Sequence, residues 1–169
     1  MSDRDAAFEA YFAARSDAMR GTAYLLCGDW HRAEDLVQQT FLRVAVRWPR
    51  LAAGGDPDPY VRKVLYHEHI SRWRRARRVA PLAADDIGAS VPDAADQVAV
   101  TVAVRQALTK LGARQRAALI LRYFEDLTEA QTAQVLGCRI GTVKSQVRDG
   151  LARLRVLAPE LATLMEVSS

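Results

Sequence analysis

The sequence predicts an all-α protein built as two small helical domains joined by a flexible linker. Apolar residues recur at helical intervals on both sides of an acidic, proline-containing joint, and no segment alternates with period two. The turn-forming residues fall where the helical periods break. With 169 residues, half of them hydrophobic, the chain carries enough apolar material to bury cores, which excludes a disordered polymer.

The elements follow in order. Phe8, Phe12, Met19, Ala23 and Leu26 mark a first amphipathic helix. After the break "CGDW", Ala33, Leu36, Val37, Phe41 and Val44 mark a second. "PRLAAGGDPDP", with three prolines and two adjacent glycines, ends that pattern. Asp58 followed by Pro59 predicts the N-cap and first turn of a third helix running to Arg78. Residues 79–96 have no sustained period and read as the linker between a block at 5–78 and a block at 97–157. Val98, Val102, Leu108 and Leu111 mark a fourth helix, and Ala113 to Phe124 a fifth. Thr128 with Gln131 is a capping box opening a short sixth helix, closed by Gly137 in a left-handed cap. A seventh starts at Ile140 and stops before Pro159, leaving a short tail at 158–169.

Charge is modest in sum, +4, and uneven in placement. Residues 1–78 hold 14 basic and 10 acidic side chains, residues 79–100 none and 4, residues 101–157 10 and 4. Two basic blocks therefore flank an acidic joint. Cys27 and Cys138 stand far apart, neither a disulfide framework nor paired metal-ligand spacing, and read as small buried fillers. The N-terminus is charged from the start and no apolar run reaches membrane-spanning length, so a soluble cytoplasmic protein without membrane insertion is expected.

The last two helices carry the first functional pattern. Counting from Glu129, alanine occupies the fifth position (Ala133), glycine the ninth (Gly137) and valine the fifteenth (Val143). That is helix-turn-helix spacing: alanine lets the helices cross closely, glycine takes the positive φ of the turn, and valine locks one helix onto the other. Val143, Val147, Leu151 and Leu154 then share one face of the second helix, while Thr142, Ser145, Arg148 and Asp149 point away and Lys144 and Gln146 flank them. A short-chained, polar, partly cationic face suits a DNA major groove. The plainer reading is a helical hairpin with a solvated face.

The second pattern is "YVRKVLYHEHISRWRRARR" on the third helix. Arg62, Lys63, His69, Arg72, Arg74, Arg75, Arg77 and Arg78 are interleaved with Tyr60, Tyr66 and Trp73. Cations neutralise phosphates and flat rings accept the face of an unstacked base, so the helix suits a separated strand. The plainer reading makes Tyr66 and Trp73 core and the arginines a soluble helix end that complements the dipole.

"HRAEDLVQQTFLRVAVRW" (31–48), "PYVRKVL" (59–65), "SRWRRARR" (71–78) and the segment from Leu108 to Arg155 resemble, in order, the regions of the extracytoplasmic-function (group 4) sigma-70 factors of bacterial RNA polymerase, in particular the SigE-type group. The resemblance covers residues 5–157. It implies a sigma region 2 domain, a linker passing near the active-site cleft, and a sigma region 4 domain, acting together as a transcription initiation factor with no catalytic residues, cofactor or metal of its own. The segment matching Arg32–Trp48 is then expected on the β′ clamp helices of core polymerase, with Glu34, Asp35, Gln38, Gln39 and the Phe41 ring as contacts, and region 4 on the β flap. Pro59–Arg78 is expected to open and read the −10 element as a single strand, through Tyr60, Arg62, Lys63, His69, Arg72, Trp73, Arg74, Arg75, Arg77 and Arg78. The recognition helix is expected to read the −35 duplex through Arg139, Thr142, Lys144, Ser145, Gln146, Arg148 and Asp149. Many members are held by an anti-sigma factor, so such a partner is expected, with the free protein a monomer.

Two departures stand out. Gln131 and Thr132 occupy positions where many members have an acidic residue and isoleucine. Arg139 replaces a small capping Ser or Pro, leaving the recognition helix without a side-chain N-cap and the guanidinium free to reach a phosphate. Asp149 could repel phosphate or accept from a cytosine amine.

Three other classes are weaker. His67 and His69 lie on different sides of a helix with no Cys or carboxylate to complete a zinc set, and no phosphate loop or nucleophile motif occurs, against an enzyme. A plain helix-turn-helix regulator should be a symmetric dimer on a palindrome. A protein-interaction adaptor should show salt-insensitive binding and no DNA affinity.

Overall fold

The structure, a computed structural model, describes residues 2–79 and 97–159, with the side chains of 97–101 left aside. The predicted linker, apart from Val79, and the tail beyond Pro159 lie outside the described residues. Among the described residues the chain is seven α-helices and no strand.

Helix α1 (Asp3–Cys27) opens with a capping box in which the Ser2 side chain accepts from the Asp5 N–H and the Asp5 carboxylate from the Ser2 N–H. It closes at Gly28, whose φ of 71° is left-handed. Asp29 then caps α2 (Trp30–Ala53), accepting from the Arg32 N–H at 2.9 Å. The "CGDW" break is thus a tight turn between two antiparallel neighbours. Phe8, Tyr11 and Phe12 of α1 meet Phe41 of α2 at ring-centroid separations of 4.4–6.5 Å in edge-to-face geometry, and Trp48 closes the cluster.

Helix α2 does not stop at Pro49 as expected; it runs through to Ala53. The proline removes one donor, but buried Trp48 and partly buried Leu51 hold the following turn against the core. Helix α3 (Asp58–Val79) also starts differently from the expectation: Asp56 accepts from the Asp58 N–H at 3.0 Å, and the Asp58 carboxylate instead takes the Tyr11 hydroxyl at 2.7 Å and Arg15 at 2.5 Å. That acid therefore ties α3 to α1.

Helices α4 (Gln97–Thr109) and α5 (Ala113–Leu119) follow the predicted pattern. The predicted continuation to Phe124 widens into a π turn at Ile120–Phe124, where the Glu125 N–H reaches the Ile120 carbonyl at 3.0 Å. Helix α6 (Glu129–Leu136) has the predicted box: Thr128 Oγ1 accepts from the Gln131 N–H at 3.1 Å and Gln131 Oε1 from the Thr128 N–H at 2.8 Å. Gly137, at φ 64°, turns the chain into α7 (Ile140–Leu157).

The two blocks share a core. Leu26, Leu36 and Tyr66 from α1–α3 are fully buried together with Leu108, Leu119, Ile120 and Leu121 from α4, α5 and the π turn. A Cβ at Gly28 would stand 2.4 Å from Thr109 Cγ2, so α4 sits on the α1–α2 turn at a distance only glycine permits. No helix among the described residues is long and apolar enough to cross a membrane.

Candidate nucleic-acid interface

The recognition helix is built as the spacing predicted. Val143 and Leu154 are buried, Val147 and Leu151 pack partly against the core, and Lys144, Arg148 and Asp149 are exposed. Thr142, Ser145 and Gln146 are half-buried, and the Ser145 hydroxyl donates to the Thr142 carbonyl at 3.0 Å. Arg139 is exposed at the N-cap position with no side-chain capping bond; the Thr142 N–H is taken by the Arg139 carbonyl at 2.9 Å, and the Ile140 and Gly141 amides are left for an acceptor. Arg148 Nε donates to Asp149 at 3.0 Å, and Lys144 stands 3.7 Å from Glu129. Both cations are thus balanced inside their own block.

Helix α3 divides along its length. Lys63, Arg74, Arg75, Arg77 and Arg78 are exposed, Tyr60 and Trp73 half-buried, with the Arg77 guanidinium 4.7 Å from the Trp73 ring centre. Tyr60 lies under Arg47 at 5.8 Å, and together with Arg43, Val46, Lys63 and His67 these two line a cleft of about 490 Å³ between α2 and α3. Glu68 lines the same cleft and holds Arg43 at 2.7 Å, which leaves Arg47 and Lys63 beside the ring, an arrangement that suits a nucleotide. Two further groups are already engaged. Arg72 donates to the Asp35 carbonyl at 3.2 Å, and Arg62 donates to the Glu125 carboxylate.

Burial removes some expected contacts from the surface. His69 is 6% exposed, and burial, followed by the charges of Arg116 and Arg72, pushes its pKa down to about 3. A neutral, enclosed imidazole packs; it does not meet a phosphate. Tyr66 is likewise core, its phenol raised by burial and by Glu125, to which it donates at 2.7 Å. Phe41 is 4% exposed at the centre of the aromatic cluster, so of the contacts expected on α2 only Glu34, Asp35, Gln38 and Gln39 are exposed. Cys27 and Cys138 are free and half-buried, with the Cys27 thiol pushed up to about 11 by burial. No group of three His, Cys, Asp or Glu among the described residues is placed to hold a metal ion.

Two residues that sequence reasoning passed over organise this surface. The buried Arg116 guanidinium donates to the carbonyls of Leu26, Thr109 (2.7 Å) and Leu111 (3.0 Å), joining α5 to the end of α1. Glu125, just after the π turn, receives both Arg62 and Tyr66. In sequence each was one charge among many.

Residues 4–79 match the family described as Sigma-70 region 2, and residues 101–154 the family described as Sigma-70, region 4. The RNA polymerase sigma-E factor of Streptomyces avermitilis is 35% identical over 149 residues, which are 88% of this chain and 83% of that protein. The sigma-E factor of Streptomyces coelicolor is 34% identical over 149 residues, 88% of this chain and 84% of that one. Among solved structures, the sigma factor RpoE from Bartonella quintana, crystallised with the anti-sigma factor NepR, superposes with a TM-score of 0.69 at 28% identity, covering 89% of this chain and 95% of that one.

Proposed function

Since the chain belongs to the extracytoplasmic-function sigma-70 family, we propose that α3 and α7 divide promoter reading between them, one taking a separated strand and the other a duplex. The chain is an alternative sigma factor directing transcription initiation. Its family is one of initiation factors; that it carries no reaction of its own, and that it works in the cytoplasm, belong to the proposal.

The observation that carries this reading is the contrast in exposed chemistry between the two helices. The cleft beside α3 offers Arg47 and Lys63 around Tyr60, with Arg43 paired to Glu68 at 2.7 Å, followed along the helix by Trp73 and four exposed arginines. Stacking plus charge holds a strand that has already been separated, and stacking alone is worth about 1–3 kcal/mol per base. Helix α7 offers a slim polar face with its basic residues at the edges, which suits phosphate anchoring and base-edge contacts from one groove. Tyr60, Arg62, Lys63, Arg72, Trp73, Arg74, Arg75, Arg77 and Arg78 take the −10 role. Arg139, Thr142, Lys144, Ser145, Gln146, Arg148 and Asp149 take the −35 role.

Region 2 corresponds to the block at 5–78 and region 4 to the block at 97–157. Glu34, Asp35, Gln38 and Gln39 dock on the β′ clamp helices of core RNA polymerase, with region 4 on the β flap. An anti-sigma factor is a further partner, supported by the likeness to a sigma factor crystallised with one. The free protein is a monomer.

Run-off transcription with purified bacterial core polymerase on a fragmented genomic library tests the reading. New start sites sharing spaced −35 and −10 elements are expected only when the protein is present. No new starts from folded, inhibitor-free protein would overturn it in favour of a dimeric regulator.

A further inference from the structure

A second cleft, of about 300 Å³, opens where α3, the start of α5 and the helix-turn-helix meet. Sites for small molecules run from about 300 to 1,000 Å³, so this one has room for a compact ligand. Its apolar points are Ile70 of α3 and Leu136 of α6, both half-buried. Around them stand Ser71 and Arg74 of α3, Arg114 of α5, and Thr142 and Gln146 of α7.

The charge of this lining is one-sided. It carries two guanidiniums, two hydroxyls and an amide and, among the described residues, no carboxylate. Neither Arg74 nor Arg114 forms an ion pair among the described residues, whereas Arg43 in the larger cleft is held by Glu68. An unpaired guanidinium presents a planar fork of donors that matches phosphate oxygens two at a time. Half-buried aliphatic side chains from two different helices offer apolar faces to a flat ring.

Packed elements, not a loop, set the walls. His67 Nε2 lies 3.0 Å from the Val135 carbonyl, which can only accept, so the proton is on that nitrogen. A Cβ at Gly137 would stand 3.5 Å from the Cε1 of the same ring, which places the helix-turn-helix turn directly against α3.

We propose that this cleft is a binding site for a nucleoside diphosphate, with its phosphates on Arg74 and Arg114 and its base against Ile70 and Leu136. Ser71, Thr142 and Gln146 supply hydrogen-bonding groups for the sugar hydroxyls and the base edge. The site goes beyond the promoter reading, in which Arg114 has no part. Arg114 is therefore the residue that tells a nucleotide from a DNA strand, since Arg74, Thr142 and Gln146 carry promoter roles as well.

The test uses the full chain, free in solution, with ADP and GDP titrated by isothermal calorimetry at about 0.15 M salt. At least one of them should saturate a single site with a Kd of about 0.1 mM or tighter. Inorganic pyrophosphate, which lacks the ring, should bind about tenfold more weakly or worse. Arg114→Gln should weaken nucleotide binding about tenfold or more, and Arg114→Lys should restore part of it, because the charge returns without the fork. Arg153→Gln removes the same charge from the exposed face of α7 outside the cleft, and should change the affinity by less than about twofold. Arg114 and Arg153 are both exposed, so far-UV circular dichroism should show all these variants folded.

No saturation by either nucleotide would overturn the site. So would equal losses in Arg114→Gln and Arg153→Gln, which would mark attraction by net charge alone. Pyrophosphate binding as tightly as the nucleotide would remove the base from Ile70 and Leu136, and with it the nucleotide assignment. A fluorescein-labelled 20-nucleotide oligo-dT that loses as much affinity in Arg114→Gln as the nucleotide does would make the occupant a strand; strand binding that is absent or indifferent to Arg114 supports the proposal. Run-off transcription with core polymerase keeps the two claims apart: starts from a chain that takes up no nucleotide sink the cleft assignment alone, and nucleotide binding by a chain that gives no starts sinks the promoter reading alone.

Discussion

Helices α3 and α7 are both assigned to DNA, yet they are built into the molecule very differently. Helix α3 buries Val61, Leu65, Tyr66, Glu68 and His69 and sends Arg62, His67 and Arg72 to partners on other elements. Helix α7 buries Val143, Gly150 and Leu154, and its exposed Lys144 and Arg148 pair with carboxylates of the same block. The helix proposed to read a strand is therefore part of the scaffold, while the helix proposed to read a duplex is a projecting tip. Substitutions around α3 should change stability and DNA binding together, and substitutions on the outer face of α7 should separate them.

The strongest test of the scaffold side is Arg116, which supports α3 through the end of α1. Arg116→Met keeps most of the aliphatic stem but strands the carbonyls of Leu26, Thr109 and Leu111 in the interior. Hydrogen bonds from a charged donor contribute about 1.5–3 kcal/mol each and are not additive, so a loss of about 3–5 kcal/mol is expected. Urea unfolding followed by circular dichroism measures it. A loss below about 1 kcal/mol would break the comparison, since the junction would then not depend on this group.

Acid provides the next test, on α3 itself. Burial, Arg116 and Arg72 hold the His69 pKa at about 3, against about 6.5 in an unfolded chain. The unfolded state therefore binds a proton that the folded state refuses. The contribution of neutral His69 is fully present above pH 6.5 and is lost as the pH falls from there toward 3. At pH 5 the loss is about 2 kcal/mol. His69→Gln should flatten this part of the stability profile, and an unchanged slope would show that other groups set it.

How much of this was legible in sequence follows the same division. Thr128, Gln131, Gly137 and Val143 act within one short stretch, and local spacing is enough to place them, so the tip was readable almost residue by residue. The scaffold was not. Arg116 is defined by a carbonyl 90 positions earlier, and nothing near it distinguishes it from neighbouring surface arginines. Glu125 depends on a π turn, one residue of slippage that no apolar period encodes. Phe41 teaches the complementary lesson: its helical period already pointed inward, and only the family resemblance drew it toward the surface. Pro49 shows that a breaker ends a helix only when no packed residue beyond it holds the next turn.

Between scaffold and tip lies Thr132, one of the two departures in α6. It is fully buried and its hydroxyl has no hydrogen-bond partner. Thr132→Val keeps the branched shape and removes the unsatisfied group, so stability should rise by about 1 kcal/mol. DNA affinity should not move, because the residue sits beneath the recognition helix and not on its outer face. A fall in stability would mean that the hydroxyl has a partner, and would make α6 part of the polar junction.

Arg139 is the finest probe of the tip. It stands at the N-cap of α7, exposed and making no capping bond, so nothing in the fold depends on its side chain. A phosphate placed there would meet the guanidinium, the Ile140 and Gly141 amides and the positive end of the helix dipole together. Arg139→Ala should leave thermal stability within about 0.5 kcal/mol. In the polymerase complex, one lost phosphate contact should lower the slope of log affinity against log salt by about 1 and weaken binding alike at all promoters. An unchanged slope would limit the tip's phosphate anchoring to Lys144 and Arg148. A loss confined to particular −35 sequences would instead make Arg139 a base reader, extending the tip's direct readout to the residue before the helix begins.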